Sequence, residues 1–240
     1  MTAVRQTSLW ALRLDRDLTL EEWELLLPLL PPERRERLFR VRPDAPGGEE
    51  VLCAYGLLTL ALHRTLHWEE LPRMALSETG KPWFPSYSAI RFSLSHTPGA
   101  VMAGLSGQDI GVDVEKVRPV RRRLMERAGV RTEESFFRLW VELEARGKRT
   151  GRGVVPYWQE AERRTEAKTD PHKERPFRSD WGDGGICSNV SLFPGYAAAA
   201  AVSPGETIPE ARTVPLGDLL SFAKEARNPE RMERSADAES

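Results

Sequence analysis

The chain has 240 residues, with 35 Lys plus Arg against 36 Asp plus Glu, a formal net charge of −1 and a hydrophobic fraction of 40 %. That length implies one or two domains with enough apolar material for a packed core. The charge balance argues against a general nucleic-acid binder, which is usually basic, and no apolar run approaches the roughly 18 residues of a membrane-spanning helix. The opening residues, MTAVRQTSLWALRLDRD, carry no long apolar stretch followed by a small-residue cleavage site, so no secretory signal is expected. Cys53 and Cys187 cannot build a disulfide framework, and neither stands in CxxC spacing. The expectation is a soluble, monomeric, cytoplasmic protein of α/β (α+β) class.

In chain order, Ser8–Leu14 has strand character. Thr19 is predicted as an N-cap, with Glu21 and Glu22 in the first turn of a helix running to about Leu27. Glu33–Arg40 is a short basic helix, followed by a loop at Arg42–Gly48. Glu50–His67 carries Val51, Ala54, Tyr55, Leu58, Leu62 and Leu66 at helical spacing and is predicted as a central core helix. His63 and His67 stand four apart on it; with no third ligand nearby, the edge of a core helix explains them better than a metal does. Ile90–Leu94, Ala100–Leu105 and Ile110–Glu115 read as strands, with Ser106–Asp109 as a hairpin turn between the last two. Arg118–Ala128 and Thr132–Arg149 read as helices, the second capped by Thr132 and ended by Gly151 and Gly153. Residues 156 to about 185 are polar and charged, and are expected to be a long loop or insertion. Ile186–Phe193 and Tyr196–Val202 return to strand composition. Val214–Ala226 suggests a last strand edge and helix, and the tail from Asn228 is expected to fray.

Two features carry chemistry. Asp113 and Glu115 lie two apart in IGVDVE, so a strand points both to one face while Ile110, Val112 and Val114 point to the other. Two such carboxylates repel unless a cation stands between them, and hard oxygen ligands suit Mg²⁺. A solvated acidic strand end is the plain alternative. Trp140, Glu144 and Lys148 fall at four-residue intervals on one helix face, where a surface Glu–Lys pair is equally compatible with the spacing.

Gly80-Lys81-Pro82, the run from Phe92 to Thr97 (FSLSHT), the run from Gly111 to Glu115 (GVDVE) and Trp140 to Lys148 (WVELEARGK) occur in an order and at separations that resemble the 4′-phosphopantetheinyl transferases of the surfactin-synthetase-activating type. The resemblance spans roughly residues 10 to 153, with a weaker echo in Pro194-Gly195-Tyr196. It implies an enzyme that transfers the phosphopantetheine arm of coenzyme A to a serine of an acyl or peptidyl carrier protein, releasing adenosine 3′,5′-bisphosphate. It also implies two similar α/β halves in one chain, a pseudo-dimer with the site in the cleft between them: residues 1–107 making the coenzyme A 3′-phosphate contacts, and 108–240 carrying the metal ligands and catalytic helix. By motif position Asp113, Glu115 and Glu144 would hold Mg²⁺. Glu144 and Lys148 would be catalytic. Arg34, Arg37, Lys81 and His96 would gather phosphate, with Ser95 and Thr97 adding hydroxyl donors. A protein that binds coenzyme A or a carrier without transfer, and a Mg²⁺-dependent phosphohydrolase, are the competing readings. Two positions depart from the family pattern: Leu143 stands where it has Lys, and Gly48-Glu49-Glu50 stands near its His-Arg pair.

Overall fold

The computed structural model describes residues 4–40, 47–68, 70–167 and 181–226. The first unit begins with β1 (Ser8–Arg13), α1 (Leu20–Leu26), α2 (Pro32–Arg40) and the long α3 (Gly48–Leu66). The short pair β2 (Ala75–Leu76) and β3 (Pro82–Trp83) precedes β4 (Arg91–Thr97) and β5 (Ala100–Ser106). The second part holds β6 (Ile110–Lys116), α4 (Arg122–Ala128), α5 (Glu133–Thr150), α6 (Val155–Ala167), β7 (Ile186–Asn189) and β8 (Tyr196–Val202). The chain then returns as β9 (Ala211–Thr213) and α7 (Leu216–Ala226). Among the described residues no helix is long and apolar enough to cross a membrane.

Beside the two-stranded β2-β3 sheet, the described residues form two larger sheets, ordered β4-β5-β1-β9 and β6-β8-β7. They pack face to face through Leu9, Ala100 and Met102 on one side and Ile110, Val112, Val114, Ala198 and Ala200 on the other. Helix α3 covers the outer face of the first sheet, burying Leu57 and Leu60 against Trp10, Leu12 and Val101. Helix α5 covers the second sheet, with Leu143 and Ala145 against Ala197, Ala199 and Ala201. The result is four layers: helix, sheet, sheet, helix. Strand β8, covered on both faces, is a continuous buried run rather than an alternating one. Its alanines let α5 and the first sheet approach closely.

Several local expectations hold. Thr19 caps α1 in a full capping box with Glu22, and Thr132 caps α5, which Gly151 ends in the left-handed conformation. Cys53 is buried in the α3 core, and burial pushes its thiol up to about 12. His63 contacts the Trp68 carbonyl at 3.2 Å and packs on Phe222, while His67 is the left-handed cap of α3, so each has a structural role.

Three expectations are corrected. Ser106–Asp109 is not a hairpin turn: β5 pairs with β1 and β4, β6 pairs with β8, and the chain crosses here from one sheet to the other. Alternation marks a strand but not its partner. Val155–Ala167 is helix rather than loop, because Tyr157, Trp158 and Ala161 supply one apolar face and Glu160–Arg164 an i, i+4 pair. The helix expected from Arg118 starts only at Arg122, since Pro119 removes a donor and leaves the preceding residues extended. The expected loop at 42–46, the part of the expected insertion at 168–180 and the tail from 227 lie outside the described residues.

Candidate active site

Strand β6 puts Gly111, Asp113 and Glu115 on the face toward α5. Gly111 has no side chain because there is no room for one. A Cβ there would lie 2.0 Å from the Ala145 carbonyl oxygen and 2.4 Å from the Arg149 nitrogen. This close approach brings Lys148, one helical turn beyond Glu144, onto Asp113: Nζ donates to Oδ1 at 2.7 Å. The ammonium also lies 3.5 Å from the Leu94 carbonyl. Asp113 is 4 % exposed, not the solvated strand end that spacing allows. Burial drives its carboxyl above the ordinary range, against the opposing pull of Lys148 and Ser95. Glu144 is raised by burial and by the neighbouring charge of Asp113, with a smaller push from Glu115. The three carboxylates therefore feel one another, and Lys148 is the cation on Asp113.

Ser95 donates to Asp113 Oδ1 at 2.7 Å, and Thr97 donates to Glu115 Oε2 at 3.2 Å. Arg118 holds the same Glu115 oxygen at 2.7 Å while its guanidinium lies over Phe137. Tying the β4–β5 turn down, Glu50 accepts from the Gly99 amide at 3.0 Å and the Tyr196 hydroxyl donates to the Pro98 carbonyl at 3.0 Å. Glu50 thus does structural work where the family pattern has a His-Arg pair.

A cavity of about 370 Å³ opens beside these groups. Arg34, Lys81, His96, Glu144 and Lys148 line it, together with Tyr55, Thr79, Gly80, Gly147 and Gly153. Four of the residues singled out from motifs, with Arg34 of the basic helix, are thereby gathered around one space, which Asp113 and Glu115 do not line. Ser95 and Thr97 do not line it; their hydroxyls serve the carboxylates. The side chain of Arg37 lies outside the described residues. His96 is exposed at the rim, where the surrounding protein and then the Lys148 ammonium lower its pKa from the ordinary value. Lys81 does more than line the pocket. Its Nζ donates to the Ile110 carbonyl at 3.1 Å and to the Arg149 carbonyl at 2.9 Å, capping the end of α5. Burial lowers its pKa. Thr79 touches the same helix end, within 2.5 Å of where a Cβ on Gly151 would stand.

The sequence reading missed the apparatus behind α5. Arg146 and Arg149 reach Asp183 at 3.1 and 3.2 Å, with all three side chains covered. Only the odd placement of two arginines on an otherwise apolar helix face could have signalled it. Leu143 is fully buried in the α5–β8 layer. A cation at that position would point into the core, which leaves Lys148 as the α5 cation facing both the pocket and the carboxylates.

Among the described residues no three His, Cys, Asp or Glu side chains converge into a ready-made metal cage. Mg²⁺ does not need one. It commonly takes one or two carboxylates and completes its shell with water and substrate phosphate. Asp113 Oδ2 is buried without a hydrogen-bond partner among the described residues, although leaving a buried acceptor unpaired is costly. An orphaned carboxylate oxygen in an acidic cluster fits a divalent cation.

Beside the site, α4, α5 and α6 enclose a second depression of about 720 Å³, floored by Phe136, Trp140 and Trp158 and rimmed by Arg118, Arg121 and Arg127. Arg121, Arg122 and Arg123 are exposed.

No family model matches the chain. The 4′-phosphopantetheinyl transferase Sfp of Bacillus subtilis (strain 168) is 28 % identical over 162 residues, covering 61 % of this chain and 71 % of the relative. The 4′-phosphopantetheinyl transferase psf-1 of Bacillus pumilus is 30 % identical over 157 residues, covering 54 % of this chain and 67 % of the relative. AcpT of Escherichia coli (strain K12), another 4′-phosphopantetheinyl transferase, is 30 % identical over 138 residues, 51 % of this chain and 66 % of the relative. With three of the four motifs lining one pocket, the fourth joined to it through the Asp113–Lys148 contact, and these likenesses in hand, the chain belongs to the 4′-phosphopantetheinyl transferase family of enzymes.

Proposed function

We propose that this enzyme transfers the 4′-phosphopantetheine arm of coenzyme A to a serine of an acyl or peptidyl carrier protein, with Mg²⁺, and releases adenosine 3′,5′-bisphosphate. The observation that carries the reading is the buried Asp113 carboxylate, held at 2.7 Å by Lys148, which with Glu144 lines a cavity shared with Arg34, Lys81 and His96. Cations on one side and carboxylates on the other suit a polyanionic substrate that arrives with a divalent metal.

Asp113, Glu115 and Glu144 are the residues that would hold Mg²⁺. When bound, the ion supplies charge neutralisation on the pyrophosphate as the phosphoryl group transfers. The chain's own groups do the rest. Arg34 and His96 bind the 3′-phosphate, with Lys81 alongside. Lys148 stands ready for charge that builds on the phosphoryl oxygens, already placed before reaction starts. Glu144 accepts the serine proton as the serine oxygen attacks the β-phosphorus; its raised pKa makes it a better base than an exposed glutamate. A serine Oγ–phosphorus bond forms, the bond to the pyrophosphate bridging oxygen breaks, and the electron pair leaves on adenosine 3′,5′-bisphosphate. The exposed arginines before and along α4 and the aromatic depression beside them suit an acidic carrier domain.

Chromatography of coenzyme A incubated with the enzyme and Mg²⁺, with and without an apo carrier protein, tests this. A transferase releases adenosine 3′,5′-bisphosphate only when the carrier is present. Release without carrier means hydrolysis, and no release in either case means binding alone; both would overturn the proposal.

A further inference from the structure

The two sheets meet along an unusual line. Strand β6 is an edge strand: its pairing partner is β8, and the amides of Val112, Val114 and Lys116 face away from that partner. An unpaired strand edge is normally covered by another strand's carbonyls or left to water. Here it is covered by hydroxyls. The Val112, Val114 and Lys116 amides donate to the side-chain oxygens of Ser93, Ser95 and Thr97, at 3.1, 3.2 and 3.2 Å. The three hydroxyl residues lie two apart on β4, so their period matches that of the amides, and all three are buried.

A serine or threonine hydroxyl has one proton to give. Ser95 gives it to Asp113 Oδ1, the residue just before the amide it accepts from, and Thr97 gives it to Glu115 in the same relation. Each hydroxyl is therefore oriented at one end by a backbone amide and spends its only proton on a carboxylate at the other. That proton is not available to a substrate phosphate. Ser95 and Lys148 both engage Oδ1 of Asp113, which leaves Oδ2 as the oxygen without a partner among the described residues.

We propose that Ser95 and Thr97 are positioning residues that register the Asp113 and Glu115 carboxylates to the β6 backbone, fixing which oxygen is presented to the metal, and that they are not coenzyme A ligands. The inference rests on the carboxylate site proposed above.

Mn²⁺ titration of the full chain with coenzyme A present, followed by electron paramagnetic resonance, reads the metal directly. Calorimetry without metal reads coenzyme A binding, and amide exchange at Val114 and Lys116 reads the ladder. Loss of a group that orients a metal ligand costs roughly 10- to 100-fold in metal affinity. Ser95→Ala and Thr97→Val are each expected to weaken Mn²⁺ binding about tenfold or more, to speed exchange at Val114 and Lys116 respectively, and to leave metal-free coenzyme A affinity within about twofold. Thr97→Ser, which keeps the hydroxyl, is expected to hold the parent Mn²⁺ affinity. If Ser95→Ala does not fold, the Thr97 pair decides the matter. Unchanged Mn²⁺ affinity in folded Thr97→Val, or weakened coenzyme A binding without metal, would overturn the inference. An unaltered protein that binds no Mn²⁺ in the presence of coenzyme A would overturn the carboxylate site itself, and that failure is seen before any variant is made.

Discussion

Replacing Lys148 with methionine removes the cation that pairs with Asp113 among the described residues while keeping most of the side chain's length. Lys148 Nζ lies 2.7 Å from Asp113 Oδ1, with side-chain exposures of 32 % and 6 %. At that separation and an effective dielectric of about 20 the attraction is about 6 kcal/mol. Part of it is returned because lysine no longer has to leave water, and the one-third exposure of Lys148 screens it further. A net loss of about 3 kcal/mol at pH 8 follows, at the low end of what breaking a buried pair costs. The loss should depend on pH with a definite sign. Burial already holds the folded Asp113 carboxyl above its ordinary range, and without Lys148 it rises further. As pH falls through that raised value, the folded variant takes up a proton that the unfolded chain does not yet bind. The deficit relative to the parent therefore shrinks on acidification, by up to about 1.4 kcal/mol per pH unit, until the parent's folded carboxyl, itself above the ordinary range, protonates too. Urea unfolding of parent and variant at pH 8, 7 and 6 without metal measures this. A deficit below about 1 kcal/mol that does not change with pH would show that Asp113 does not depend on Lys148.

Gly111→Ala should act at a distance from any charged group: its Cβ would meet the Ala145 oxygen at 2.0 Å, so α5 must move by about 1 Å or more. We expect transfer to fall about 100-fold or more, with unfolding at lower temperature from overpacking; a folded variant with parental rate would refute the close-approach argument. Coenzyme A should bind better than dephospho-coenzyme A, and His96→Ala should narrow the difference. Because the free imidazole titrates below its ordinary value and a phosphate favours the imidazolium, that preference should grow from pH 8 to pH 6 in isothermal titrations; equal affinities in the unaltered protein would refute the pocket. Reversing the exposed Arg121, Arg122 and Arg123 to Glu should slow transfer to an acidic carrier while coenzyme A affinity holds. Raising salt should do the same to the parent, as the Debye length falls from about 10 Å at 0.1 M to about 3 Å at 1 M; unchanged carrier kinetics at low salt would place docking elsewhere.

Much of this was legible in the chain because local periodicity carries it. Alternation placed Asp113 and Glu115 on one face, and the four-residue step put Glu144 and Lys148 on one side of α5. Capping residues placed the starts of α1 and α5 within a residue. What periodicity does not carry is which strand lies beside which, so a turn between β5 and β6 was expected where the chain instead changes sheets. The same gap hid the burial of Asp113, since a carboxylate's surroundings come from β4 and α5, distant in sequence. It also hid that the Ser95 and Thr97 hydroxyls donate to Asp113 and Glu115, and that Lys81 caps the end of α5. Their spacing on β4 matched that of the acids on β6, but only the juxtaposition of the strands shows that the two patterns mesh. Helix α6 was misread because its charged residues outnumber the few aromatic ones that anchor it.

The transfer reaction itself is tested most directly by intact-mass spectrometry of an apo carrier protein incubated with this enzyme, coenzyme A and Mg²⁺, beside the same mixture containing Asp113→Ala. The account predicts that the carrier gains one phosphopantetheine on its serine with the unaltered enzyme and none with the folded variant. A carrier left unmodified by the unaltered enzyme, or modified equally by both, would contradict it.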